Sequence, residues 1–570
     1  MKKVFLSLFL SVFVNVFSQD YRSPLDIPLQ LSANFGELRN NHFHSGIDMK
    51  TQQVINKPVY SIADGFVSRI SVSPGGYGLA LYIDHPATGH TSVYGHLESF
   101  SPKIAEYVKQ KQYEQESFRV NLTLDPSVLP VKKGERVANS GNTGGSGGPH
   151  LHFEIRDTKS EEPLDALEYY KKMITDTRPP EIRGIAAYPV PGRGVVNGSI
   201  VPLRQSVSLL KNGAYSDPSQ SIEAWGWIGL GIKAYDRMDG AANIYGVRKI
   251  TMSVDGKELF GYDMDRFGFD ETRMLNTFTD FADWRLNKSF FTKSFIEPGN
   301  TLRLYRSEND GYIDINEERP YNISYTLEDL YGNTTTYKFT VTGKKQEIKI
   351  PSGCSLVMVW NDDNRYISDP FRLIIPKGNL YNDICFTLSQ KKSTGYYSDV
   401  FTVNNEPVPI HKSGEISIKL DNDPLTDKKQ YGIIQINGKK ISWMGGIWRN
   451  GYITAPIREL GVTLAVSADT IPPVIAPVTV NRKVKGKTQK VAESQKDRIR
   501  LRVSDNLSGI ASFRGEVDGQ FVLFEHDVKS NIYTYRYDAS RIGTGKTHNL
   551  VFTAIDGCGN KSEYTTRFEF

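Results

Sequence analysis

The sequence predicts a mainly β chain: an N-terminal antiparallel β-sheet domain with one inserted helix, followed by β-sandwich modules. Three observations predict it. Aromatics are abundant, with 30 Tyr and 28 Phe, and 49 Gly and 28 Pro punctuate the 570 residues, a mixture that suits short strands joined by many turns. Apolar and polar residues alternate over most of the chain, and a helical period takes over in residues 102–118. Finally, two phrases recur. Asp176-Thr177-Arg178-Pro179-Pro180 returns as Asp469-Thr470-Ile471-Pro472-Pro473, and Asp329-Leu330-Tyr331-Gly332-Asn333 returns as Asp556-Gly557-Cys558-Gly559-Asn560.

Composition narrows the class. At 39% hydrophobic and 23% charged residues the chain is globular rather than disordered, and its length suits three or four domains. A net charge of +5 is small for this size and gives no argument for nucleic-acid binding. Lys2 and Lys3 precede the apolar run Val4–Phe17, which is too short to span a bilayer, and Val16 and Ser18 suit a cleavage ahead of Gln19. Residues 1–18 therefore read as a signal peptide. No later run is long and apolar enough for a transmembrane segment, so the mature chain is expected to be exported, to the periplasm or the cell exterior. Of the three cysteines, Cys354 and Cys385 either pair or stay as buried thiols, and Cys558 is left over. None has a Cys or His neighbour at zinc-ligand spacing.

Taken in order, the leading domain (residues 19–177) holds seven of the ten histidines: His42, His44, His85, His90, His96, His150 and His152. His44 and Asp48 lie four apart where a loop enters a strand, with Gly46 between them allowing close backbone approach. A neutral imidazole and a carboxylate suit Zn²⁺, and they equally suit a turn-capping pair. Val59–Ile70, Leu79–Asp84 and Thr91–His96 alternate as consecutive antiparallel strands, with Asp64-Gly65, Gly75-Gly76 and Pro86–Gly89 as turns. On this reading His96 shares the face of Tyr94, and His85 and His90 are exposed turn residues. Residues 102–118 form an amphipathic helix opened by Pro102, with Ile104 and Val108 one turn apart, covering a sheet edge. Val131 and Val137 return to the β pattern. The chain then enters Gly144–Arg156, where a glycine-rich loop feeds a strand that sets His150 and His152 on one face. That pair is either a metal or acid/base site or the wet face of a strand.

Three motifs now stand in sequence: His44-x-Gly46-x-Asp48, Tyr94-Gly95-His96-Leu97 and Gly148-Pro149-His150-Leu151-His152-Phe153. Their order and style resemble the lysostaphin-type, or LytM, zinc endopeptidases, over roughly residues 30–160. The long segment Glu98–Pro130, which carries the helix, departs from the family pattern. The resemblance implies one Zn²⁺ held by His44, Asp48 and His152, with His150 and His96 as catalytic histidines. It also implies hydrolysis of peptide bonds in peptidoglycan stems or cross-links, with the Gly141–Gly148 loop either bordering the groove or forming a plain turn. Arg39 is either a substrate-carboxylate contact or a surface residue.

After the leading domain, residues 178–345 and 466–570 share the recurring phrases and resemble immunoglobulin-like β-sandwiches, and residues 346–465 read as a further β-sandwich. Asp421, Asp423 and Asp427 read as a solvated acidic turn. The expected function is an exported zinc metalloendopeptidase acting on peptidoglycan peptides, with β modules that bind, space or orient it and offer surfaces to envelope partners. The alternative is a non-catalytic envelope scaffold that binds wall peptide and recruits or activates another hydrolase.

Overall fold

The computed structural model describes residues 21–350, 352–484, 487–493 and 497–569. The signal peptide expected over residues 1–18 lies outside the described residues. The leading domain runs β1 (Leu31–Ala33), β2 (Ile47–Lys50), β3 (Pro58–Tyr60), β4 (Gly65–Val72), β5 (Leu79–His85), β6 (His90–Phe100), α1 (Pro102–Glu114), β7 (Val120–Thr123), β8 (Pro130–Val131), β9 (Arg136–Ser140), β10 (His150–Asp157) and β11 (Pro163–Leu164). These strands form one antiparallel sheet in the order β1-β2-β10-β6-β5-β4-β7. β9 joins β6 to β3, β8 adds to β4, and β11 adds to β10.

The pleat of three adjacent strands creates the site. On β2, Ile47 and Met49 enter the core while Asp48 points to the other face; on β10, Leu151, Phe153 and Ile155 enter the core while His150, His152 and Glu154 point away. Each fully buried apolar side chain of this kind contributes about 1.5–3 kcal/mol, so register is fixed by the core and the polar row follows from it. The stretch Val59–Ile70 divides into β3 and β4 because Asp64-Gly65 turns the chain. A Cβ on Gly65 would lie 2.1 Å from the carbonyl oxygen of Asp84, so only glycine permits this pairing.

Two histidines differ from the sequence expectation. His85 is buried, with Nδ1 donating to the Asp64 carbonyl at 3.0 Å and Nε2 at 2.8 Å from Ser92 Oγ. His90 is part-buried and meets the Tyr21 hydroxyl at 2.7 Å. The hairpin loop is confined to Pro86–Gly89, so His85 and His90 form the last paired rung rather than the turn.

Residues 181–343 build a ten-stranded sheet with two short helices, Leu275–Phe278 and Phe281–Asn287. Residues 356–468 build an eight-stranded sheet and a two-stranded one, the latter beside the Cys354–Cys385 disulfide. Cys558 is free and buried. Residues 474–569 form two four-stranded sheets with a shared core that includes Leu501, Phe524, Tyr533, Leu550 and Phe552, together with a separate two-stranded hairpin.

These units do not simply trail the leading domain. Phe35 and Phe43, from the loop that ends at His44, insert into the core of the 181–343 unit, where Phe43 packs on Phe267 and Phe278. The last unit folds back onto α1: Tyr113 meets Phe521 edge-on, Lys109 pairs with Asp538 at 2.7 Å, and Arg514 pairs with Glu116 at 2.7 Å. Thus α1 covers the sheet with Ile104 and Val108 and receives the last unit on its other side. From the same unit Lys529 donates to the carbonyls of Asn142 and Ser146 in the glycine-rich loop. A cavity of about 730 Å³ lies between that loop and the last unit, walled by Glu98 and Asn142 on one side and Arg498 and Arg536 on the other.

Candidate metal centre

His152 pairs in register with Asp48 on β2 and with Gly95 on β6, which puts the centre at the middle of the sheet. His44 reaches it from the loop before β2, held by two backbone bonds: its carbonyl accepts from Gly36 N–H and its N–H donates to the Glu37 carbonyl. Gly46 lets this loop cross β10: a Cβ there would lie 2.3 Å from the Phe153 carbonyl oxygen and 2.8 Å from Glu154 Cγ.

Three donor atoms converge. His44 Nε2 lies 3.1 Å from Asp48 Oδ1 and 3.1 Å from His152 Nδ1, and His152 Nδ1 lies 2.9 Å from Asp48 Oδ1. Ligands bound tetrahedrally to zinc at about 2.0–2.1 Å stand about 3.3 Å apart, so this triangle is close to one face of a zinc tetrahedron. All three residues are buried. Two imidazole nitrogens and one carboxylate oxygen suit Zn²⁺, and the fourth corner is left to the open side of the site.

The atoms behind the ligands fix which nitrogen each ring offers. His44 Nδ1 lies 2.7 Å from the Asn34 carbonyl, which can only accept, so Nδ1 carries the proton and Nε2 is free to ligate. His152 Nε2 donates to Glu154 Oε1 at 2.8 Å, which frees Nδ1. Glu154 is fully buried and also accepts from Tyr77 at 2.6 Å, Ser45 at 2.6 Å and Arg156 Nε at 2.6 Å. Arg39 Nη2 reaches Asp48 Oδ2 at 3.4 Å, so Asp48 turns Oδ1 inward and Oδ2 toward the arginine. Arg39 is therefore part of the site's support rather than only a surface residue.

Electrostatics follow this wiring. Burial opposes the charge on Asp48, but His44 beside it and hydrogen bonds from His150, His152 and His44 hold its carboxyl well below the usual range. Burial likewise opposes protonation of His152, yet bonds to Asp48 and Glu154 push it up to about 9.

His150 and His96 line the same pocket. Their rings are 4.8 Å apart, and His96 lies 5.8 Å from the ring of His152. His96 Nδ1 donates to the Thr143 carbonyl at 2.8 Å and His150 Nδ1 to the Gly148 carbonyl at 2.8 Å, so each ring presents Nε2 to the pocket, that of His150 lying 3.4 Å from Asp48 Oδ1. His96 does not share the face of Tyr94, as strict alternation had predicted. Its backbone is left-handed (φ 57°), interrupting the β6 register with β5 and β9, and this turns the ring away from the core that Tyr94 enters. Burial, then the neighbouring His152 and His150, push His96 down to about 3, so it is neutral at neutral pH.

All five predicted site residues are brought together. Sequence reasoning missed Glu154, Tyr77, Asn34 and the anchoring of the His44 loop by the next unit. Glu154 was the one with a local signal, because it continues the alternation His150, His152 along β10.

Comparison with known proteins agrees with this geometry. Residues 42–113 match the family model described as Peptidase family M23, and residues 355–469 match one described as a Zu5-like domain. An uncharacterized metalloprotease of Haemophilus influenzae is 32% identical over 140 residues, 24% of this chain and 24% of that protein. The DD-carboxypeptidase/endopeptidase Mpg of Neisseria meningitidis is 35% identical over 113 residues, 20% of each chain. The chain thus spans about a quarter or less of the length of these curated relatives. Among solved structures, a zinc-containing peptidase from Vibrio cholerae is 29% identical, covering 25% of this chain and 38% of that one, with a TM-score of 0.19. The catalytic domain of lysostaphin from Staphylococcus simulans is 22% identical, covering 25% and 92%, with a TM-score of 0.19. Within the leading domain, residues 42–113 are thus similar to peptidase family M23.

Proposed function

We propose that this chain is an exported zinc metalloendopeptidase that hydrolyses peptide bonds in peptidoglycan stems or cross-links, with His44, Asp48 and His152 as ligands and His150 and His96 as catalytic residues. The observation that carries the reading is the convergence of three donor atoms about 3 Å apart, with two further imidazoles presenting Nε2 atoms beside them. The relative named as a DD-carboxypeptidase/endopeptidase supports a wall-peptide substrate. A disulfide between Cys354 and Cys385 supports export to an oxidising compartment. Among the described residues no helix is long and apolar enough to cross a membrane.

His44, Asp48 and His152 would hold the zinc, which would supply Lewis acidity and make a water nucleophile available near neutral pH. The chain's own residues do the rest. His96 has its Nδ1 proton committed to Thr143, so Nε2 is the nitrogen that faces the pocket to take a proton from the attacking water. His150, oriented by Gly148 in the same way, presents its Nε2 to the same pocket, and whichever imidazole is protonated donates to the oxyanion or the leaving amine. Glu154 and Asn34 hold the ligand rings in place, and the glycine-rich loop borders the cleft under the grip of Lys529.

The test is digestion of purified wall sacculi by the mature chain, with and without a strong chelator, reading released peptides by mass spectrometry. Chelator-sensitive release that is abolished in His152→Ala is expected. Undiminished release from His152→Ala would remove the assigned ligand role. Wall binding without release, by a protein that takes up no zinc, would favour the scaffold reading.

A further inference from the structure

The phrases that recur in the sequence meet in space. Asp176, Asp236 and Asp329 each present a carboxylate oxygen within 4.8 Å of the others, and so do Asp469, Asp505 and Asp556. The two clusters are built alike. Asn333 donates its side-chain amide to Asp329 Oδ2 at 2.7 Å and to the Asp176 carbonyl at 3.2 Å, and Asn560 donates to Asp556 Oδ2 at 2.8 Å and to the Asp469 carbonyl at 3.0 Å. The backbone N–H of each asparagine reaches Oδ1 of the same aspartate at 2.8 Å. One aspartate of each cluster comes from the linker entering the unit, one from the end of an internal strand or the loop beyond it, and one from the turn before the closing strand.

A second observation points to a ligand. Asp176 is only 6% exposed, and its Oδ2 is buried with no hydrogen-bond partner. In the other cluster Asp505 is half-buried, and its Oδ1 atom is inaccessible and unpartnered. The guanidinium groups of the nearby arginines make their bonds outside the cluster, Arg237 Nη1 to the Ala242 carbonyl at 3.0 Å and Arg178 Nη2 at 3.5 Å from Glu181, while their backbone N–H groups donate to Asp236 Oδ1 and Asp176 Oδ1. In the first cluster Arg178 offsets the repulsion at Asp236 only in part. Burial, with Asp329 and Asp176 adding to it, pushes Asp236 up to about 8, and burial pushes Asp176 up to about 6. A buried acceptor with no donor costs free energy that a bound cation would return.

We propose that each aspartate cluster binds one calcium ion, and that the two ions lock the linkers Asp176–Pro180 and Asp469–Pro473 onto the units they enter. The donors are all oxygens, which selects a hard cation, and three carboxylates supplemented by carbonyls and water suit the six to eight ligands of Ca²⁺ better than the softer zinc. Both sites lie outside the histidine centre and stand independently of the hydrolase reading. By joining a linker to a strand end and a turn, each ion sets how one unit follows from the unit before it, and it stabilises only the folded state.

The experiment uses the mature full chain, zinc-loaded throughout, with calcium chloride as the probe. Equilibrium dialysis should give two calcium ions per chain, one in Asp236→Asn, one in Asp505→Asn and none in the double variant. Melting supplies the control for misfolding. Without calcium the Asn variants should melt close to the wild type, because an amide keeps the shape of the carboxyl and one of its acceptor oxygens. With calcium the wild type should rise by several degrees and overtake them, while magnesium at the same concentration should give little rise. No bound calcium in the wild type, or two ions retained in the double variant, overturns the proposal.

Discussion

Replacing Glu154 by Gln tests how far the ligand geometry depends on the atoms behind it. Glu154 is fully buried, takes the Nε2 proton of His152 at 2.8 Å and carries the charge that balances Arg156 at 2.6 Å. Two separable losses follow. Without the carboxylate, His152 is a weaker and less fixed ligand, and removal of such a partner costs about 10–100-fold in metal affinity, or about 1.4–2.7 kcal/mol. Arg156, itself buried, would face an amide instead of a carboxylate, and an unpaired buried charge costs about 3–5 kcal/mol of stability. The double variant Glu154→Gln/Arg156→Met removes that second loss by deleting the stranded charge. The assay is a zinc titration in competition with a chromophoric chelator, run beside a thermal melt. Both variants should bind zinc about 10–100-fold more weakly, while the double variant recovers most of the melting temperature. Wild-type zinc affinity in the stable double variant would refute the claim that Glu154 orients the ligand.

Three further outcomes follow from the same structure. Gly46→Ala puts a methyl 2.3 Å from the Phe153 carbonyl, so β2 and β10 must part, costing about 1–3 kcal/mol and at least tenfold in zinc affinity, which the same titration reads. Phe43→Ala empties a buried site in the core of the 181–343 unit and should cost about 3–5 kcal/mol by denaturant melt; because Phe43 precedes His44, zinc affinity should fall although the side chain never touches the metal. His526, stacked on Tyr533 in the unit that folds back on α1, has both ring nitrogens buried without partners; burial, and then Arg119, push it down to about 4, with Asp527 opposing. The unfolded chain takes up its proton near pH 6.5 and the folded chain only near pH 4, so this contribution is intact above pH 6.5 and disappears as pH falls to 4. After discounting for partial solvent contact it is about 1–2 kcal/mol, and wild type should lose more melting temperature than His526→Phe between pH 7 and 4.

What the sequence disclosed was whatever repeats at short range. The two-residue period put His150 and His152 on one face, and the motif of His44, Gly46 and Asp48 was legible as a loop entering a strand, with Asp48 on β2 and His44 in the loop before it. The period failed at His96, where one left-handed residue reverses the face, since no alternation rule registers a single positive φ. It failed again at His85 and His90, which flank the expected Pro86–Gly89 turn but pair with each other as the last rung of the hairpin instead of lying exposed in the turn. Contacts between units were illegible for a different reason. Phe43 in the core of residues 181–343, Lys529 on the glycine-rich loop and Tyr113 against Phe521 join residues hundreds of positions apart, and such pairs leave no local pattern. The aspartate clusters fall between these cases: their recurring phrases were visible as turns and linkers, but not that the two phrases meet.

The most direct measurement is an anomalous difference map of the zinc-loaded chain recorded at the zinc edge. A single strong peak within about 2.0–2.2 Å of His44 Nε2, Asp48 Oδ1 and His152 Nδ1, with its fourth side open to the pocket of His96 and His150, is the predicted result. A peak elsewhere, or a zinc closed off by a fourth protein ligand, would contradict the account.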